Sequence, residues 1–438
     1  MARKLVLIVV DGMTPAAFEH AVEAGRAPAL AFLAAHGEYR RAISVFPSLT
    51  PVCLSSIATG AGPDVHHIPS LVWWHRQERR IVEYGSSFAA LRAAGLTQSV
   101  VDTILNMNAK HLSRDAVTIY EAVEDAGLAA AAVNITCYRG RHRHPATLPG
   151  VNRSAYGPKR FFYYSLFESD RTGAPLAVRN RSAGSVDAYA AAVGRWLVTR
   201  DGFDFLAYYL SSYDHASHAH GPERAAEVSL GPIDAAIATL LDAAGGPDEF
   251  LERYAVIVMS DHGQTAVRQA ARLDRSFRDL DGDVVVTASN RAGQVYLLPH
   301  ARVDAADLAR RLDGEPSVDV TLRLEGGEVV ARRDGSDAPV EKLDHPDAAR
   351  RARAALANPN AGDLLVSAAD GWELVDLGGA HHAGGGSHGS LSAGDSFAPL
   401  LTVGLDADPR RITDVAPAAL AHLGVDVPAA MQEPAHVG

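Results

Sequence analysis

The sequence predicts an α/β protein built on a mainly parallel sheet with helices on both faces. Two observations carry this. Short apolar, β-rich runs alternate with Ala-rich amphipathic runs along most of the 438 residues, and the runs "KLVLIVV", "FLAYYL" and "YAVIVMS" are apolar almost throughout. Strands of that kind are buried on both faces, which parallel sheets achieve by covering themselves with crossover helices. Reactive groups in such sheets gather where the chain leaves the carboxyl ends of the strands. Asp and His residues just after strands are therefore the ones to follow.

In chain order, "KLVLIVV" is the first strand. Arg3 and Lys4 imitate the front of a secretory leader, but the apolar run Leu5 to Val10 is too short and ends at an acidic residue without a small-residue cleavage pattern. In "VFPSLTPVCLSSIATG" the Thr-Pro pair reads as a helix start, with Thr50 as cap, Pro51 in the first turn and Cys53, Leu54, Ile57 and Ala58 at helical spacing. Then "AVTIYEAVEDAG" with "AAAVNIT", "VDAYAAAVGRWLV" with "FDFLAYYL", and "IDAAIATLLDAAG" with "YAVIVMS" form helix–strand pairs.

Two stretches break the alternation. Residues 139–185, with "RGRHRHPATLPG" and "FFYYSLFESDRTGAP", are rich in turn formers, basic residues and rings, and residues 298–359 combine a short helix, two strand-like pieces and a charged segment. After them "GDLLVSAADG" and "APLLTVGL" read as returning core strands, and "ITDVAPAALAHLGV" as a closing helix capped by Thr413. The expected layout is a single catalytic domain, 1–438, with a core of about 1–138, 186–297 and 360–438 and cap insertions of about 139–185 and 298–359.

Bulk properties narrow the function. With 41 Lys and Arg against 52 Asp and Glu, the net charge of −11 argues against a nucleic-acid polymer as partner. No stretch is long and charge-free enough to span a bilayer. Two cysteines, Cys53 and Cys137, build no disulfide framework, and a cytoplasmic location is expected.

Four segments place Asp and His at predicted strand ends: Asp11 after "LVLIVV", Asp214 and His218 after "FLAYYLSSY", Asp261 and His262 after "YAVIVMS", and His388 in the glycine-rich "GGAHHAGGGSHGS". Each has a plainer reading as turn former, surface pair or loop residue, and it is their combination that points to metal chemistry. Carboxylates and neutral imidazoles suit borderline divalent ions, zinc or manganese, while the cysteine count excludes a thiolate site. These six groups suffice for two cations.

The same motifs, "VVDGM", "FPSLTP…SIATG", "DHASHAHGP", "SDHGQT" and "GSHGS", resemble in their order the alkaline phosphatase superfamily, and especially its nucleotide pyrophosphatase/phosphodiesterase branch. That resemblance implies a three-layer sandwich, two divalent cations with zinc favoured, and hydrolysis of a small phosphodiester, pyrophosphate or related phosphorus ester. It implies Thr50 as nucleophile, passing through a phosphothreonine-type intermediate, with Ser48 as fallback. It assigns Asp11, Thr50, Asp261 and His262 to one cation and Asp214, His218 and His388 to the other. A phosphomonoesterase, phosphonate hydrolase or phosphosugar mutase of the same superfamily is the alternative, and a catalytically silent metal-binding protein the second. Where the branch commonly has a phosphoryl-binding Asn three residues past the nucleophile, this chain has Cys53. The backbone N–H of Val52 or Cys53 could replace that donor. Trp73, Trp74 and His75 are candidates to contact the substrate, although packing of a cap is the somewhat stronger reading.

Overall fold

The apolar run Lys4–Val10 (β1) lies near the middle of an eight-stranded sheet in the computed structural model, which describes residues 3–147, 153–170 and 183–431. Its other strands are Glu38–Ile43 (β2), Ala130–Val133 (β3), Arg160–Tyr163 (β4), Phe167–Glu168 (β5), Phe205–Leu210 (β6) and Tyr254–Met259 (β7), with Phe397–Val403 numbered β14 below. The order is β2-β14-β7-β1-β6-β3-β4-β5. Strands β7, β1, β6, β3 and β4 run parallel, while β14 is antiparallel to β7 and β2, and β5 to β4.

Burial on both faces follows from the pleat. Leu5, Leu7 and Val9 pack with Val52, Leu54 and Ile57 of the Thr50–Thr59 helix and with Ile119, Val123, Val415 and Ala419. Val6, Ile8 and Val10 point the other way, onto Phe18, Val193, Leu197, Ile233 and Ile237. Alternate residues of one strand thus hold two helical layers, and the predicted three-layer sandwich is what the chain forms. Among the described residues no single helix is long and apolar enough to cross a membrane; only the bent pair Pro222–Ala243 and Pro247–Arg253, 69° apart, passes when taken together.

A second, wholly antiparallel sheet is formed by Val284–Ser289 (β8), Ala292–Leu297 (β9), Val318–Glu325 (β10), Glu328–Arg333 (β11), Ser336–Pro339 (β12) and Leu364–Ala368 (β13), in the order β8-β9-β13-β10-β11-β12. It takes in residues that the sequence reading gives to the core. The run in "GDLLVSAADG" pairs with β9 and β10, not with the main sheet. Its side chains are buried on both faces here too, Leu365 on one and Leu364 and Val366 on the other, so its hydrophobic pattern is that of a core strand. The run in "APLLTVGL" does return to the main sheet as β14. The closing helix is Val415–Leu423, and a preceding turn of 3-10 helix, Ile412–Asp414, moves the cap position from Thr413 to Asp414.

Of the 139–185 stretch, residues 148–152 and 171–182 lie outside the described residues. Phe161 and Phe162 belong to β4 and are fully buried in the main core, so this aromatic run is core strand rather than cap. Arg139 and Arg141 of the basic run pair with Glu121, at 3.2 and 3.0 Å, and Arg141 also with Asp125 at 2.6 Å.

Candidate metal centre and active site

Parallel strands β1, β6 and β7 end side by side, so the residues that follow them share one rim. Asp11 follows β1 directly, and its N–H donates to Leu210 O of β6 at 2.9 Å. Asp214 and His218 lie on the Ser212–His220 helix one turn after β6, and Asp261 and His262 follow Ser260 at the end of β7. His388 comes from the glycine-rich segment beside a two-residue strand, Gly386–Ser387, that pairs with Thr265–Ala266. Gly12, at φ +65°, lets the chain turn where space is short: a Cβ there would lie 2.6 Å from Gln264 Nε2 and 3.0 Å from Asp214 Oδ1.

The structure brings all seven residues singled out for the reaction centre together. Thr50 Oγ1 is 3.2 Å from His262 Nε2, and that nitrogen lies 3.4 Å from both Asp11 Oδ1 and Asp261 Oδ2. Asp214 Oδ1 is 3.4 Å from His218 Nε2 and 3.7 Å from His388 Nε2. The His262 and His388 rings stack at 3.7 Å. Two groups of potential ligand atoms, each within 4.8 Å of one another, result: Asp214, His218 and His388, and Asp11, Asp214 and His262. Asp214 belongs to both, whereas the resemblance gives it to one.

The chemistry of this donor set fits divalent cations. Each histidine sets its Nδ1 against a backbone carbonyl: His262 on Gly263 O at 3.0 Å, His218 on Gly386 O at 2.9 Å and His388 on Ser48 O at 2.7 Å. A carbonyl only accepts, so each Nδ1 carries a proton, and each Nε2 faces the cluster. Burial holds the His388 imidazole far below its ordinary pKa and also lowers that of His218, which keeps both neutral. Asp11 Oδ1 and Asp261 Oδ2 are buried without a hydrogen-bond partner. Burial, and then the neighbouring Asp261 and Asp214, push the Asp11 carboxyl well above the usual carboxylate range; burial raises Asp261 as well. Orphaned acidic oxygens gathered beside imidazole Nε2 atoms suit a positive charge between them.

Thr50 differs from its expected role as a cap. The N-cap residue is Leu49, in extended conformation and with no side-chain capping bond, and Thr50 is the first helical residue. Its hydroxyl is therefore free of the helix and turned to His262. Ser48, the fallback nucleophile, is fully buried and its hydroxyl donates to Ser390 O at 3.1 Å.

The proposed substitutes for the missing Asn do not serve. Val52 N and Cys53 N both donate to Leu49 O at 2.9 Å. Cys53 is fully buried with its thiol 3.2 Å from Ser44 Oγ, and offers no surface to a substrate. Trp73 is fully buried too, stacked on His75 at 5.3 Å and edge-on to His111 at 5.4 Å. Trp74 and His75 are partly buried on the same hairpin, Val72–His75 with Arg80–Glu83. His75 Nδ1 accepts the Glu78 N–H at 3.1 Å.

Three residues at the centre escape sequence reading. The Tyr209 hydroxyl donates to Asp11 Oδ2. Gln264 Nε2 donates to Asp214 Oδ1 at 2.5 Å while its Oε1 accepts from Ser217 at 2.8 Å. Asn290 Nδ2 lies 3.1 Å from His388 Nε2. Tyr209 reads as a strand aromatic and Asn290 as a turn former, and only the position of Gln264 in "SDHGQT" hints at a role.

The sequence model of the family described as type I phosphodiesterase / nucleotide pyrophosphatase matches residues 5–391. Comparison with curated protein sequences gives no match. Among solved structures, phosphonoacetate hydrolase from Sinorhizobium meliloti 1021, in complex with phosphonoformate, superposes with a TM-score of 0.65 at 19% identity, over 96% of each chain. Murine ectonucleotide pyrophosphatase / phosphodiesterase 5 gives 0.65 at 14% identity, over 97% of this chain and 96% of its own. At these identities the likeness is one of fold.

Proposed function

The chain belongs to the type I phosphodiesterase / nucleotide pyrophosphatase family, and from that premise we propose that it hydrolyses a small phosphodiester, pyrophosphate or related phosphorus ester with Thr50 as nucleophile. One observation carries the reading: the Thr50 hydroxyl, released from capping, stands 3.2 Å from His262 Nε2, which itself lies 3.4 Å from the orphaned oxygens of Asp11 and Asp261.

Asp11, Thr50, Asp261 and His262 would hold one divalent cation and Asp214, His218 and His388 the other, with Asp214 near enough to both to be shared. The three imidazole donors favour zinc, while the carboxylate oxygens also suit manganese. Bound there, such cations supply positive charge that lowers the pKa of a hydroxyl and offsets the charge of a phosphoryl group. Thr50 Oγ1 attacks phosphorus, the bond to the leaving-group oxygen breaks, and the phosphoryl group is left on the threonine. Water then cleaves the P–Oγ1 bond, returning the hydroxyl and releasing the phosphorylated product. A phosphonate is a second substrate class, suggested by the shared fold with phosphonoacetate hydrolase. The buried, unpaired thiols of Cys53 and Cys137 suit a reducing, cytoplasmic setting.

Zinc-loaded protein is expected to turn over bis-p-nitrophenyl phosphate faster than p-nitrophenyl phosphate, and metal-free protein neither. A strong preference for the monoester, or release of phosphate from phosphonoacetate alone, would replace the diesterase assignment. Tyr209→Phe keeps the ring and removes the hydroxyl that holds Asp11 Oδ2. Its zinc affinity is expected to fall about 10- to 100-fold, read by competition with a chelating dye; unchanged affinity would make that hydrogen bond incidental.

A further inference from the structure

From the second sheet we infer that the Asn290 carboxamide is a side-chain donor to a phosphoryl oxygen; this rests on the phosphoryl-transfer reading above. The need for a donor is set by the helix start. Pro51 has no N–H, and those of Val52 and Cys53 are spent on Leu49 O. The first turn therefore has only the Thr50 N–H to offer a bound phosphoryl group.

Asn290 stands at the tip of the β8–β9 hairpin, which reaches the rim where β1, β6 and β7 end. It is buried, and its backbone is left-handed at φ +56°, a conformation Asn tolerates better than most residues. The orientation of its amide follows from its neighbours. His388 gives its Nδ1 proton to Ser48 O, so His388 Nε2 can only accept, and the atom facing it at 3.1 Å is the Asn290 nitrogen. Asn290 Oδ1, on the other side, accepts from Ser289 Oγ at 2.8 Å.

That arrangement changes when the site is loaded. With the His388 Nε2 lone pair committed to a cation, the acceptor that Asn290 Nδ2 uses is gone. A buried N–H without a partner costs about 1–3 kcal/mol. The acceptor that arrives with a substrate is a phosphoryl oxygen.

The backbone that carries the donor is held in place, which limits how far its amide can travel. Leu374 N donates to Asn290 O at 2.7 Å, Arg291 N to His388 O at 2.8 Å, and Ala368 N to Arg291 O at 3.0 Å. The Arg291 guanidinium is fully buried and bound to Asp395 Oδ1 at 2.8 Å, Asp370 Oδ1 at 3.0 Å and the Ala369 carbonyl at 3.1 Å. The hairpin tip is thus tied to the segment that carries His388. No other side-chain amide among the described residues has a hydrogen bond to one of the three centre histidines.

The test uses the zinc-loaded protein with Asn290→Gly, which accepts the left-handed backbone, and Asn290→Asp, which keeps the shape but replaces the donor by an acceptor. Both are expected to retain metal content and melting behaviour. Both are expected to bind orthovanadate about 10- to 100-fold more weakly, and to lose about a hundred- to a thousand-fold in kcat on bis-p-nitrophenyl phosphate, with KM changed far less. Unchanged vanadate affinity and kcat in Asn290→Gly would overturn the inference while leaving Thr50 in place. A fall in zinc content that accounts for the lost activity would overturn it too, making Asn290 a support for His388. Turnover that survives Thr50→Ala would sink the phosphoryl-transfer reading, and Asn290 with it.

Discussion

Thr50→Ala is expected to abolish turnover of bis-p-nitrophenyl phosphate, a loss on the order of 10⁴-fold or more, while the fold and most of the metal stay. The stability half of that expectation separates the two roles of a threonine at a helix start. A capping threonine replaced by alanine costs about 1 kcal/mol. Here Leu49 is the cap residue and no side chain makes a capping bond, so the variant should unfold at nearly the wild-type denaturant midpoint. Thr50→Ser keeps the hydroxyl and should keep substantial activity. A Thr50→Ala variant that still turns over substrate moves the nucleophile elsewhere, and the buried, hydrogen-bonded Ser48 would have to break its bond to Ser390 O to take its place. A variant that is inactive but loses about 1 kcal/mol of stability and all its zinc would instead give Thr50 a structural role.

What the sequence makes legible is whatever a single strand or turn determines. Asp11, Asp214, Asp261 and their histidines are visible because an apolar strand ending in Asp, or in Asp and His, is a local pattern, and parallel strands gather their ends on one rim. The partition of ligands is less local. Asp214 is close to both groups because the helix carrying it starts beside the turn at Gly12, a contact between segments some two hundred residues apart. Thr50 shows how local grammar misleads: Thr-Pro is what a cap looks like, but the extended residue is Leu49, at φ −113° and ψ 137°. Sheet membership is hidden for a related reason. Leu364 and Val366 are as buried as β1 residues, and the apolar pattern records burial without saying against what. Asn290 and Tyr209 act across the fold on His388 and Asp11, and nothing in their own segments marks them.

Removing the cations is expected to be the largest perturbation short of mutation, and its pH dependence is what identifies the cause. Saturating two sites at a hundredfold excess over Kd stabilises by about 2.7 kcal/mol each, roughly 6 °C in Tm for a chain of this size. Chelation should remove that gain and zinc restore it. In the metal-free protein the Asp11 carboxyl, raised by burial and by Asp261 and Asp214, and the buried Asp261 resist ionising together. Their folded values lie above the unfolded aspartate value of about 3.9. Their contribution is therefore fully present below that value and lost as pH rises through the folded values. With cations bound the sign reverses, because the ligands must be ionised and affinity rises with pH. The gap in Tm between loaded and stripped protein should therefore widen from pH 5 to pH 8. A gap that is constant, or that narrows, would mean that these carboxylates already have their counter-charge from the protein, and the two-cation centre would fall with it.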